Sequence, residues 1–185
     1  MRSFDTDSLN YSPKEQRHLY QVRDPRDVLV SEYYSIGWRH TIDGWSEEDL
    51  KRRDLIRTLS VDEYVLREPE IAKHPLIERY QPLLDRLRND HGSRSTTVVK
   101  YETMVTEFGE WIKQVLPLLD IEIGITNRSF YAFVEERYVN EFRADGNETG
   151  HRRNVTPGDH TDKLSAKTID SLNTRFESVL KALNY

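Results

Sequence analysis

The sequence predicts an α/β domain in which helices flank a small parallel sheet. Two short runs rich in β-prone residues, 18–23 and 96–101, are separated by several segments with helical periodicity. Strands that alternate with helices pair in parallel, because each crossover helix returns the chain to the same end of the sheet. A length of 185 residues fits one domain, so we predict a single domain over residues 1–185.

The first strand leads directly into a helix. The run "HLYQVR", residues 18–23, is followed by Asp24 and Pro25, which are typical of an N-cap and a first helical position. We expect the helix to continue to His40.

Two or three further helices are predicted before the second strand. Ser46 begins the first, and Ser60 with Glu63 has the spacing of a capping box at the start of the second. The third lies within residues 74–90 and carries its apolar side chains on one stripe: Leu76, Ile77, Tyr80, Leu83, Leu84 and Leu87.

After the second strand the pattern is mainly helical. Helices are predicted in residues 108–119 and within 126–142, and a loop over 143–161, which is rich in glycine and lacks periodicity. The last 21 residues predict one amphipathic helix, with these residues inward: Ile169, Leu172, Phe176, Val179, Leu180 and Leu183.

Composition excludes several classes of function. The net charge of −5 argues against a nucleic-acid partner. The chain has no cysteine, which excludes disulfides and thiolate metal sites and favours a reducing compartment. No apolar run approaches the ~20 residues needed to span a bilayer, and the first residues do not resemble a signal peptide. We therefore expect a cytoplasmic protein without a membrane span.

The joint between the first strand and its helix predicts an anion site. Arg23 ends the strand beside a helix N-terminus, the edge where open α/β sheets bind ligands. Its guanidinium matches phosphate oxygens, and Ser31, about two turns along, could donate its hydroxyl to the same anion. The alternative is that Arg23 forms a salt bridge with one of the nearby aspartates.

The segment "VRDPRDVLVSEYYS", residues 22–35, resembles the 3′-phosphate-binding segment of sulfotransferases that use 3′-phosphoadenosine 5′-phosphosulfate. The family's pattern there is Arg, Asn or Asp, Pro, a basic residue, Asp, Val, two residues and Ser. The resemblance implies that Arg23 and Ser31 bind the 3′-phosphate.

Three further segments resemble the same family, in the family's order. "VVKYETM" implies that Tyr101 lies against adenine, and "RSF" that Phe130 stacks on adenine with Ser129 beside it. "HRRNVTPGDHTDKLS" places Arg153 on an arginine that grips the 3′-phosphate, and His160 where the family has Trp. The resemblance runs from about Leu19 to Tyr185.

Each of these residues also has a structural alternative. Tyr101 could be a core tyrosine at the end of a strand, and Phe130 an ordinary helix-packing residue. Arg152 and Arg153 could form a solvated basic pair.

The resemblance implies a P-loop-like fold and a reaction. The reaction is transfer of a sulfuryl group from 3′-phosphoadenosine 5′-phosphosulfate, the co-substrate, to a hydroxyl or amine of a small molecule or carbohydrate. The lack of a Gly-x-x-x-x-Gly-Lys-Ser/Thr motif argues against the alternative of a phosphotransferase.

Two parts of the family pattern are not matched. One is the first strand–loop–helix unit, whose Pro-Lys-Ser-Gly-Thr-Thr-Trp loop holds the 5′-phosphosulfate, and the other is the histidine that acts as base. We therefore expect a shortened member that keeps the 3′-phosphate and adenine half of the donor site. Its catalytic residues stay unassigned, with Asp5, Asp7 and His160 as candidate bases.

Residues 1–185 alone should transfer little sulfate and should self-associate or be marginally stable. The alternative function is a non-catalytic nucleotide-binding or interaction module.

Overall fold

A computed structural model describes residues 18–40, 42–89, 96–119, 132–134, 136 and 156–185. Within these ranges the chain is mostly helical around a two-stranded sheet. Strand β1 (His18–Val22) pairs in parallel with β2 (Thr96–Lys100), and Val22 is the partner of Lys100. The α/β class and the parallel pairing predicted from the sequence are confirmed.

The helices that connect the two strands begin close to the predicted residues. They are α1 (Pro25–Tyr34), α2 (Glu47–Thr58), α3 (Val61–Ile71) and α4 (Leu76–Asn89). The predicted caps are present: the Asp24 side chain accepts from the N–H of Arg26, and Ser60 forms a complete capping box with Glu63.

Helix α1 ends earlier than predicted. It is followed by a π-helical segment, Ser35–Arg39, in place of further α-helix. The Nε atoms of Arg53 and Arg57 donate to the carbonyl of Gly37 at 3.0 and 2.6 Å. In an α-helix this carbonyl would accept a hydrogen bond from the main-chain N–H four residues later. Here two arginines of α2 donate to it instead, which explains the wider turn.

The part of the chain after β2 is helical as well. Helices α5 (Tyr101–Thr106) and α6 (Phe108–Val115) lead into a 3₁₀ turn (Leu116–Leu119). Residues 132–134 and 136, inside the predicted helix of residues 126–142, are helical.

The loop predicted over residues 143–161 is partly wrong. Residues 143–155 lie outside the described ranges, but α7 (Asp159–Lys163) begins inside the predicted loop. Gly158 precedes it with φ of +88°, and the Asp27 side chain accepts N–H groups at its start. The partner that stabilises this helix start is distant in sequence, so local periodicity does not reveal it.

The predicted C-terminal helix is two helices, α8 (Ala166–Arg175) and α9 (Glu177–Leu183). The break lies at Phe176, which has φ −99° and ψ 14° and a fully buried ring. Next to it, the Arg175 guanidinium donates to the carbonyls of Val65 and Leu66. The apolar period is the same on both sides of the break, which is why the sequence predicted one helix.

The core lies between α1, α3, α4 and the C-terminal helices. It includes fully buried Leu29, Val30, Val65, Leu172, Phe176 and Val179. Of the predicted inward residues, Ile77, Leu87 and Ile169 are partly buried against this core. In the described ranges, none of the helices has the length and apolar character to cross a lipid bilayer.

Candidate nucleotide-binding site

The carboxyl ends of the two strands bring two predicted site residues together. Arg23 follows Val22 and Tyr101 follows Lys100, and these preceding residues are partners in the sheet. The Arg23 guanidinium carbon lies 4.6 Å from the centre of the Tyr101 ring. Tyr101, predicted as the last residue of the strand, is instead the first residue of α5. Two residues separated by 78 positions thus form one cation–π pair at the carboxyl edge of the sheet, where open α/β sheets in general bind ligands.

The main chain of the joint is held from two sides. The Tyr80 hydroxyl donates to the Arg23 carbonyl at 2.5 Å, and the Asp24 N–H donates to Glu102 Oε1 at 2.9 Å. Glu102 Oε2 in turn accepts from the Tyr185 hydroxyl at 2.7 Å. These bonds fix the direction in which Arg23 leaves the strand.

The two aspartates near Arg23 are bound by other groups. Arg26 donates through Nε and Nη2 to the Asp24 carboxylate at 2.9 and 2.5 Å, and through Nη1 to Asn173 at 2.7 Å. Asp27 binds the chain around Gly158. The described residues therefore do not show the salt bridge considered for Arg23. Its Nε is buried and has no hydrogen-bond partner among them.

The Asp27 carboxylate accepts three N–H groups from one short segment. Oδ2 accepts from the Gly158 main chain at 2.7 Å, and Oδ1 accepts from His160 through its main chain at 2.9 Å and its Nδ1 at 2.6 Å. Burial alone would raise the pKa of Asp27, but the three donors outweigh it and the pKa lies below its usual value. Asp27 is therefore ionised at neutral pH, and the imidazole proton is on Nδ1 because a carboxylate can only accept.

Ser31 is exposed on α1, one helical turn after Asp27. Residues four apart lie on the same helix face, so Ser31 is on the face that Asp27 joins to the start of α7. Among the described residues there is no hydrogen bond between Ser31 and Arg23.

Three predicted site residues, Ser129, Phe130 and Arg153, lie outside the described residues. So do the candidate bases Asp5 and Asp7. The third candidate base, His160, is buried, with its Nδ1 bound to Asp27 in the interface between α1 and α7.

Sequence analysis assigned no role to three residues that shape the joint: Tyr80, Glu102 and Tyr185. Glu102 follows Tyr101 directly in the motif, so its position in the sequence could have predicted that it lies at the joint. Tyr80 was predicted to face inward, but its hydroxyl partner is 57 residues away and no local pattern indicates it.

A separate cavity of about 280 Å³ lies beside the second half of α1. Its wall includes Ile36, Arg52 and Ile56, and a 2.6 Å ion pair between Arg79 and Glu32. The three predicted nucleotide-binding residues that the structure describes, Arg23, Ser31 and Tyr101, do not line it.

Comparison with known proteins identifies a family. A family model described as "Sulfotransferase domain" matches residues 7–184. No curated protein and no solved structure matches the chain significantly. The matched range includes the four segments that resemble sulfotransferases.

Proposed function

Because the chain belongs to the sulfotransferase-domain family, we propose that it forms the 3′-phosphate and adenine half of a site for 3′-phosphoadenosine 5′-phosphosulfate, as one domain over residues 1–185. The reaction is sulfuryl transfer to a hydroxyl or amine of a small molecule or carbohydrate. The observation that carries the proposal is the Arg23–Tyr101 pair at the carboxyl ends of two adjacent parallel strands.

Side chains supply the charge for the 3′-phosphate in this proposal. The N–H of Arg26, in the first turn of α1, is already bonded to Asp24, and the Asp24 carboxylate occupies the positive end of the helix dipole. The phosphate therefore depends on Arg23 and Arg153 and on the Ser31 hydroxyl, which come from three places in the chain. Stacking on Tyr101 orients the Arg23 guanidinium without using its N–H donors.

Adenine needs flat apolar faces. We assign these to Tyr101 and Phe130, with Ser129 beside them, because aromatic rings bind the purine over a large area.

The chemistry consists of one displacement at sulfur. The bond between sulfur and the 5′-phosphate oxygen breaks, a bond from sulfur to the acceptor oxygen or nitrogen forms, and a base takes the acceptor proton. The residues described here position the nucleotide, and we assign none of them as the base.

The second candidate function is a non-catalytic nucleotide-binding module. It would use the same Arg23–Tyr101 joint, which can bind a nucleotide without a transfer step. Both functions predict nucleotide binding, and they differ in transfer.

Binding of 3′,5′-bisphosphoadenosine to two arginine variants tests the site. Arg23→Met should weaken binding at least tenfold, because one charge-assisted contact to phosphate contributes ~1.5–3 kcal/mol. The matched control is Arg88→Met, which removes an exposed arginine that only approaches Asp85 at 3.4 Å and should bind like the wild type. Equal affinities for all three proteins would refute the assignment of Arg23.

Transfer of radiolabelled sulfate to a panel of phenols, alcohols, amines and sugars separates the two functions. Turnover that falls with Arg23→Met supports the sulfotransferase. Tight nucleotide binding without turnover on any acceptor supports the binding module.

A further inference from the structure

The cavity beside the second half of α1 lies where four helices meet. Its wall includes Glu32 from α1, Arg52 from α2, Tyr64 from α3 and Arg79 from α4. Its volume of about 280 Å³ is roughly twice the ~150 Å³ of an apolar cavity that holds benzene. The cavity can therefore hold a molecule the size of an aromatic ring with a short side chain.

Part of the cavity wall is apolar. Three isoleucines and an alanine line it: Ile36, Ile56, Ile71 and Ala72. Ile56 is fully buried, and Tyr64, which also lines the cavity, is 2% exposed. Such a wall favours a ligand with an apolar body, because binding removes apolar surface of both molecules from water.

Two polar groups of the residues that line the cavity lack a hydrogen-bond partner among the described residues. One is the buried Nε of Arg52. The other is the hydroxyl of Tyr64, although Tyr64 is almost wholly buried. Burial raises the pKa of Tyr64, so its hydroxyl keeps its proton at neutral pH and can donate it. Both groups are hydrogen-bond donors, and a ligand that accepts hydrogen bonds would satisfy them.

The charges on the cavity wall favour an anion. Three cations line the cavity in addition to a histidine: Arg52, Lys73 and Arg79. The two carboxylates that line it are each paired with one of the arginines, Glu32 at 2.6 Å and Asp49 at 3.3 Å. Lys73 therefore leaves these residues with a net charge of +1 when His74 is neutral.

We propose that this cavity binds a small carboxylic acid with an apolar body, such as an arylalkyl acid. The carboxylate accepts hydrogen bonds from Arg52 and from the Tyr64 hydroxyl, and the apolar body packs on the isoleucines. A carboxylate has two acceptor oxygens and no donor, so it matches two donors and one excess positive charge. This assigns a second ligand site, which goes beyond the proposed function and does not depend on it.

Calorimetry with 3-phenylpropionate and with 3-phenylpropanamide tests the preference for a carboxylate. The two probes have the same ring and chain and differ only in the charged group. The acid should bind at least tenfold more tightly than the amide, because a charge-assisted hydrogen bond contributes at least about that factor. Equal affinity for the two probes, or no binding of the acid, would overturn the proposal.

Tyr64→Phe removes only the hydroxyl that has no partner among the described residues. The free energy of unfolding should therefore not fall, whereas the affinity for 3-phenylpropionate should fall about tenfold. The matched control is Tyr33→Phe, which removes a hydroxyl that donates to the Leu59 carbonyl at 2.7 Å. This control should lose stability and keep its affinity. A Tyr64→Phe variant that loses stability but binds the acid like the wild type would show a structural hydroxyl and overturn the proposal.

Two further variants test the cation and the location of the site. Arg52→Gln should weaken binding of 3-phenylpropionate at least tenfold. Arg67→Gln, which removes a partly exposed arginine of α3 that approaches Glu70 at 3.6 Å, should bind like the wild type. Arg23→Met should also leave this affinity unchanged. Loss of binding in Arg23→Met but not in Arg52→Gln would place the acid at the nucleotide site and overturn the proposal.

Methyl resonances of labelled isoleucines locate the probe on the wild-type protein and need no variant. Those of Ile36, Ile56 and Ile71 should shift as 3-phenylpropionate is added, because these residues line the cavity. Ile169 does not line it, and its resonance should stay in place. Unchanged resonances of the three cavity isoleucines at saturation would contradict the proposal even if a variant failed to fold.

Discussion

Two neighbouring arginines at the strand–helix joint make different contacts. Arg26 makes side-chain hydrogen bonds to Asp24 and Asn173, and its side chain is 15% exposed. Arg23 stacks on Tyr101, and the described residues supply no carboxylate for it. Single-residue geometry therefore separates an arginine that is bonded to side chains of the protein from the arginine that we propose as a phosphate ligand.

This difference predicts opposite effects of two alanine substitutions. Arg26→Ala should lower the free energy of unfolding by about 1–3 kcal/mol, because Asp24 is left buried without its charged partner. Arg23→Ala should cost less than about 1 kcal/mol, the value of a cation–π contact, but should weaken binding of 3′,5′-bisphosphoadenosine. Urea unfolding of both variants measures the two changes in the free energy of unfolding. Greater destabilisation by Arg23→Ala would mean that Arg23 is a structural residue.

At the scale of helices, α3 and α4 are joined by a buried carboxylate. The Glu68 side chain is fully buried, and its Oε1 accepts from the N–H of Leu76, the first residue of α4, at 2.6 Å. Its Oε2 is buried without a hydrogen-bond partner among the described residues. Burial raises the pKa of Glu68, more than the N–H of Leu76 lowers it. The helix junction therefore favours the protonated acid.

We predict that Glu68→Gln stabilises the protein at pH 7, by about 1 kcal/mol, because Gln keeps the acceptor for Leu76 and has no charge to bury. A raised folded-state pKa means that the wild type recovers stability as the pH falls. The advantage of Gln should therefore shrink as the pH falls towards about 4.3, the ordinary pKa of the carboxyl in the unfolded state, below which Glu68 is mostly protonated in both states.

Urea unfolding of both proteins between pH 7 and pH 4 measures this difference. The control is Glu70→Gln, an exposed residue of the same helix, which should change little at either pH. A Glu68→Gln variant that is less stable than the wild type at pH 7 would contradict the account of α3 and α4.

At the scale of the whole molecule, Tyr185 contacts a residue that supports the candidate site. The Tyr185 hydroxyl donates to Glu102, whose other oxygen holds the Asp24 N–H. Lys100 donates to the Asn184 carbonyl at 2.8 Å, and its Nζ lies 4.2 Å from the centre of the Tyr185 ring. Burial raises the pKa of Tyr185, and its bond to Glu102 raises it further. The hydroxyl therefore remains a donor through the neutral range.

Removing this hydroxyl should affect both stability and the site. Tyr185→Phe leaves one oxygen of Glu102 without its partner, so we expect a loss of about 1–2 kcal/mol in the free energy of unfolding. Nucleotide affinity should fall by less than threefold, since Asp24 keeps its bond to Glu102. Thermal unfolding and calorimetry on the same sample measure both, and an unchanged melting temperature would contradict the role of the C-terminal contact.

The sequence was informative where the cause is local or follows from sheet topology. Asp24 and Ser60 cap helices through neighbouring residues, and Arg23 and Tyr101 meet because parallel strands end at one edge. It was uninformative where the cause is a distant contact. The start of α7 depends on Asp27, 131 residues away, and the π-helical segment on arginines of α2. No period or cap in the sequence encodes such contacts.

Calorimetry of the wild-type chain with 3′,5′-bisphosphoadenosine and with 5′-AMP tests the central claim most directly. The two nucleotides share adenine and the 5′-phosphate and differ in the 3′-phosphate. The Arg23 site predicts at least tenfold tighter binding of the bisphosphate, because each charge-assisted contact to the 3′-phosphate should contribute ~1.5–3 kcal/mol. Equal affinity for the two nucleotides would contradict a 3′-phosphate site at this edge of the sheet.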